Sequence, residues 1–163
     1  MPDGSPLPDL AVGAELSGPT RPLTMERVEW YSIGMLSAAS GVRQGVQRNI
    51  HTDQEYAASQ GLPAAIADGM HSTNWLSAMM AHHFGGHYLT SGELRTKYIK
   101  PVFVDTPLTP RGVVTAREEG PDGVTYRLDV WCEDADGVKL TVGDAAVTVT
   151  ASVSVSASAG GDA

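Results

Sequence analysis

Cysteine is almost missing: Cys132 is the single cysteine in 163 residues, so no internal disulfide can form. It lies between Trp131 and Glu133 in an apolar-rich run, a setting that suits a core thiol better than a nucleophile. Basic residues are scarce as well, 11 Lys and Arg against 19 Asp and Glu, for a formal net charge of −8. That deficit argues against a sequence-independent nucleic-acid binder, which must neutralise phosphates. It argues equally against docking on an anionic membrane. No basic stretch followed by an apolar run opens the chain, and no apolar segment approaches the roughly 20 residues needed to cross a bilayer. The expectation is a soluble, cytoplasmic protein. A hydrophobic content of 42% is enough to pack one domain of this length.

Residues 1–10 are rich in Pro, Asp and Gly, and SVSVSASAGGDA at 152–163 is small and polar. The expected organisation is a flexible N-terminus over 1–15, one domain over 16–151 and a flexible tail over 152–163. Thr24 can cap a helix whose apolar stripe is Val28, Tyr31, Met35, Leu36 and Ala39, with Gly41 as its stop. An irregular segment follows, and Thr52 with Glu55 has capping-box spacing for a short helix ending near Gly61. The strongest helix runs from about Gly69 to Phe84, with Met70, Thr73, Leu76, Met80, His83 and Phe84 at helical spacing. Trp75 and Met79 widen that stripe, which predicts a surrounded helix ended by Gly85-Gly86. Beyond it the pattern becomes strands: residues 94–100 alternate, and TPRGVVTARE, VTYRLDVWCE and VKLTVGDAAVTVTASV follow, separated by EEGPDG and DADG turn signals. Helices followed by a meander give an α+β fold with an antiparallel sheet wrapped around one long helix.

The stretch NIHTDQEYAASQGLPAAIADGMHSTNWLSAMM resembles the signature half of the MaoC-like (R)-specific enoyl-thioester hydratases and dehydratases, and YIKPVFVDTPL resembles a later strand of that family. The blocks agree in order and spacing over roughly residues 20–150. The resemblance implies a hot-dog fold and chemistry on a 2-enoyl/3-hydroxyacyl thioester carried by coenzyme A or acyl carrier protein. It implies no dissociable cofactor beyond that carrier, and a homodimer or a heterodimer with another hot-dog subunit. By the same resemblance His51 stands at the catalytic histidine, Gly69 at the glycine whose N–H holds the thioester oxygen, and Ser77 at a serine lining the site. Two positions depart from the pattern. The family's catalytic aspartate falls on Val46, and the histidine of its A-H-G-M block falls on Asp68.

Hydrating an enoyl thioester requires a base for water, a proton for the α-carbon and donors for the enolate oxygen. Gly69 suits the last role because it opens a helix, where unpaired amides meet the positive end of the dipole. The alternative is a tight helix entry. His51 is either acid/base or a loop histidine before a cap. Asp68 is the first candidate to replace the absent acid and Asp53 the second, although both also suit a helix start. Arg43 and Arg48 are candidates for a substrate carboxylate or phosphate, or simply solvated loop residues. Ser77 either donates to the thioester or permits close packing. Met70 and His71, beside Gly69, are candidate substrate contacts, with His71 a reserve base. Arg95, Lys97 and Lys100 form a basic patch, either a landing place for carrier phosphates or a sheet edge kept soluble by charge. His71, His82, His83 and His87 surround one helix, but their spacing matches no metal-ligand motif, and His82 and His83 project about 100° apart. No metal is expected. Non-catalytic support of an active partner and thioester hydrolysis, elimination or cyclisation on the same fold are the alternatives; acyl length, carrier and pathway are left open.

Overall fold

The structure is a computed structural model that describes residues 9–150; residues 1–8 of the expected N-terminal segment, residue 151 and the whole expected tail, 152–163, lie outside them. The chain begins its regular structure with β1 (Glu15–Ser17) and β2 (Arg21–Pro22), followed by α1 (Met25–Ser40) and α2 (Gln54–Ser59). The long helix α3 (Met70–Phe84) comes next, then a single short helix α4 (Gly86–Ser91). Four strands follow: β3 (Glu93–Tyr98), β4 (Pro107–Gly120), β5 (Gly123–Glu133) and β6 (Lys139–Val149). The sheet order is β1-β4-β5-β6-β3, every neighbour antiparallel, with β2 also paired to β4.

Local chemistry accounts for most of these boundaries. Thr24 is extended and its hydroxyl accepts from the Arg27 N–H at 3.4 Å, which starts α1. Gly41, left-handed at φ 71°, closes α1 by donating to the Ser37 carbonyl. The expected stripe on α1 is only partly buried. Val28 is buried, whereas Met35 and Leu36 are exposed, because α1 meets the body chiefly through its first half. The cap of α2 also differs from expectation. Asp53, not Thr52, accepts from the Tyr56 N–H, at 2.7 Å, while the Thr52 hydroxyl donates to the Gln47 carbonyl. The β4–β5 turn is Pro121-Asp122, and in the β5–β6 turn the Asp134 carboxylate accepts from the N–H groups of Asp136 and Val138.

The sheet wraps α3. Leu76, Met79, Met80 and Phe84 on the helix are buried together with Val114, Tyr126, Leu128, Val130, Cys132 and Val147 from the strands. Period-2 alternation on β4 and β5 sends one face to this core and the other outward. Gly143 permits the close crossing of β6 and β3, since a Cβ there would lie 2.0 Å from the Arg95 carbonyl oxygen. Among the described residues no helix is long and apolar enough to cross a membrane. The architecture leaves the first turn of α3 open at one end of the sheet, next to the 98–102 segment.

Candidate active site

His51 lies in the turn before α2. Asn49 Oδ1 accepts from the N–H groups of His51, at 2.8 Å, and Thr52, at 3.2 Å, which fixes the backbone. The ring is fixed separately, because His51 Nδ1 lies 2.8 Å from the Ile66 carbonyl oxygen. A carbonyl can only accept, so Nδ1 carries the proton and donates, and Nε2 of the neutral ring keeps its lone pair. Ile66 in turn donates its N–H to the Ile50 carbonyl, tying the two segments together.

His51 lines a cleft of about 360 Å³ with Ile66, Gly69, Ser72, Tyr98, Lys100 and Thr141. Gly69 caps α3 without a side-chain hydrogen bond. The ring of Tyr98 rests against it so closely that a Cβ at residue 69 would lie 2.7 Å from the ring. Tyr98 is held in place through its hydroxyl, 2.9 Å from Thr73 Oγ1 and 3.3 Å from Met70 Sδ. The helix dipole therefore ends at a glycine in the wall of the cleft that also holds the histidine.

Among the described residues no carboxylate forms an ion pair or hydrogen bond with His51. Val46 is 52% exposed in the irregular segment and brings no acid. Asp53 is committed to its cap. The Tyr56 N–H, and then the Arg48 guanidinium at 2.8 Å, hold its carboxyl below the ordinary range. That contact also occupies Arg48, which lies over the Tyr56 ring. Asp68 accepts from the Met70 N–H at 3.1 Å, and its charge acts on His71. His71 is 7% exposed, packs against Tyr31 in a tilted contact with ring centroids 4.2 Å apart, and has a buried Nε2 without a partner among the described residues. Burial lowers its pKa and nearby His51 adds to the effect, with Asp68 opposing.

The candidates thus separate. The cleft brings His51 and Gly69 together, with Met70 exposed at its edge through the Tyr98 contact. His71 faces a different cleft, on the other side of the first turn of α3. Ser77 is away from His51, its hydroxyl accepting from Tyr88 at 3.2 Å. Arg43 is exposed in the irregular segment. Arg95 and Lys97 line a groove on the outer face of the sheet with Trp131 and Lys139. Lys100, grouped with them by sequence, lines the His51 cleft instead. Tyr98 and Thr141 are lining residues that the motifs do not single out. The alternation of β3, with Thr96 bonded to Thr73 at 2.8 Å, is the signal that puts Tyr98 on the helix side.

A family profile described as "MaoC like domain" matches residues 47–134. No curated protein matches the chain. Among solved structures, the chain is similar to an (R)-hydratase from A. caviae involved in PHA biosynthesis, at 20% identity and TM-score 0.67 over 86% of this chain and 98% of that one. It is similar to a MaoC-like dehydratase from Rhodospirillum rubrum at 16% identity and TM-score 0.68, covering 87% and 94% of the two chains. The HadBC (3R-hydroxyacyl-ACP dehydratase) complex from Mycobacterium tuberculosis gives 16% identity and TM-score 0.61 over 85% and 96%. At these identities the structural likeness establishes the fold and no more.

Proposed function

The chain belongs to the MaoC-like domain family and has the hot-dog fold, and from that premise we propose that it hydrates a 2-enoyl thioester or dehydrates the corresponding 3-hydroxyacyl thioester. The observation that carries this reading is the tautomer of His51: the Ile66 carbonyl holds Nδ1–H and leaves Nε2 as a base in the cleft wall shared with Gly69.

In the hydration direction Nε2 takes a proton from water as the water oxygen bonds to the β-carbon. The carbon–carbon π electrons move onto the thioester oxygen, where the Gly69 N–H stabilises the enolate. The imidazolium, steadied by the Ile66 carbonyl, then gives the same proton to the α-carbon. The sum is H and OH added across one double bond, and one histidine can serve both transfers. Dehydration runs through the same steps in reverse. The carrier is coenzyme A or acyl carrier protein, and no dissociable cofactor enters the scheme. The assembly that suits the fold is a homodimer or a heterodimer with another hot-dog subunit; the structurally similar HadBC dehydratase is itself a complex.

A second reading has its own support: the valine at position 46 and the lack, among the described residues, of a carboxylate partner for His51 suit a subunit that supports an active one. One experiment separates the two. The purified chain is incubated alone with crotonyl-CoA and longer 2-enoyl thioesters, and the loss of the conjugated thioester absorbance is followed alongside free thiol. Loss of absorbance without thiol release supports the hydratase. Thiol release indicates hydrolysis, and inactivity until a second chain is added indicates the supporting role.

A further inference from the structure

On the side of α3 away from His51, a second cleft of about 420 Å³ lies between α1 and α3. Its walls are Arg21, Arg27, Trp30, Tyr31, His71 and Trp75. Two indoles, a phenol and an imidazole line it, in a chain with only three tryptophans. Two guanidiniums stand in it although the protein as a whole carries a net charge of −8. Among the described residues neither arginine makes an ion pair, whereas Arg48, Arg95, Arg111, Arg117 and Arg127 all do. No acidic side chain lines the cleft among the described residues. Trp30 is 68% exposed at its rim, an indole kept in water where packing does not require it. At the inner wall His71 is more than nine-tenths buried, and its enclosed Nε2 has no partner among the described residues.

These features converge on one ligand chemistry. Aromatic faces take a planar ring, and guanidiniums beside such rings take an anion. The number of charges is also constrained. Arg27 spends Nη1 on the Pro22 carbonyl at 2.8 Å, so Arg21 is the guanidinium with all its donors uncommitted among the described residues. That arrangement suits a single negative charge better than a pair of phosphates. The cleft continues along α3, since Arg21 and Trp75 also line a neighbouring cavity of about 430 Å³ that reaches Met79 and His82. There is room beyond the ring for a substituent.

We propose that this cleft is a binding site for a planar aromatic acid, its ring held among Trp30, Tyr31 and Trp75 and its carboxylate by Arg21 and Arg27. The site is distinct from the His51 cleft: Ser72 and Gly69 line one and His71 the other, on opposite sides of the same helical turn. Its occupancy does not depend on whether His51 is catalytic.

The test is titration calorimetry on the full chain with four probes: 2-naphthoate, the neutral 2-naphthalenemethanol, the non-planar cyclohexanecarboxylate, and adenosine 3′,5′-bisphosphate. The expected result is saturable 1:1 binding of 2-naphthoate, at least about 10-fold tighter than each of the other three. Arg21→Gln is expected to weaken 2-naphthoate by about 10-fold and leave 2-naphthalenemethanol unchanged, while Trp30→Leu weakens both. Both side chains are exposed, so neither change removes core packing. Absence of saturable binding, equal affinity for the alicyclic acid, or indifference to Arg21→Gln overturns the proposal. Tighter binding of the bisphosphate overturns it in favour of the nucleotide end of a carrier.

Discussion

At the scale of single residues, the candidate site turns on His51, whose Nδ1 is held by the Ile66 carbonyl, and on the absence, among the described residues, of a carboxylate paired with it. By the ungapped resemblance the family's aspartate falls on Val46, which lies exposed on an irregular segment, so a carboxylate there displaces no packing among the described residues. Val46→Asp is therefore expected to change stability by less than about 0.5 kcal/mol. If the chain is a hydratase, it raises the rate of enoyl-thioester hydration about 10-fold or more, read from initial rates of wild type and variant. His71 gives a prediction of a different kind. Its folded pKa is lowered by burial, so the unfolded chain binds the proton first as pH falls. The stability gained from keeping the ring neutral is complete above the ordinary histidine range and is lost as pH falls toward the lowered folded value. Denaturation curves at about pH 7.5 and about pH 5.5 are expected to show a larger loss for wild type than for His71→Gln.

At the scale of elements, the start of α3 is where structure becomes chemistry. Gly69 lets the Tyr98 ring lie against the helix terminus, and an added Cβ would push that ring aside. Tyr98 is 47% exposed, and its ring can yield only by giving up its hydroxyl contacts with Thr73 and Met70, so Gly69→Ala is expected to cost about 1 kcal/mol. The same change is expected to lower hydration at least about 10-fold, because it disturbs the amide proposed to meet the enolate. An unchanged rate would remove Gly69 from the oxyanion site. Deeper in the same helix, Leu76→Ala is expected to cost about 2–5 kcal/mol in chemical denaturation, since its side chain is wholly enclosed. The ends of α1 and α3 are legible in sequence because Thr24, Gly41 and Gly85 act on backbone groups within one turn of themselves. The elements β1, β2 and α4 are not legible. They are too short to show a period, and β1 and β2 exist because β4 pairs with them. The capping residue of α2 is a one-position ambiguity: Thr52 and Asp53 are both good caps, and the Gln47 carbonyl engages the Thr52 hydroxyl.

At the scale of the whole molecule, the α+β pattern reads through to the fold because the long helix and the alternating strands need each other to bury their apolar faces. The site reads through only in part. His51 and Gly69 sit in short local motifs, whereas Tyr98, Lys100 and Thr141 reach the cleft only because the sheet closes on the helix. The same closure sends Arg95 and Lys97 to the outer face. Met35, Leu36 and Val42 remain exposed on α1 and the segment after it, an apolar stretch that suits the proposed pairing with a second hot-dog chain. The central claim, that His51 is the acid/base of a thioester hydratase, is tested most directly by kcat/KM for a 2-enoyl-CoA in wild type and His51→Ala at matched fold, checked by circular dichroism. The account predicts measurable hydration in wild type and a loss of at least about 100-fold in the variant; a variant as active as wild type would contradict it.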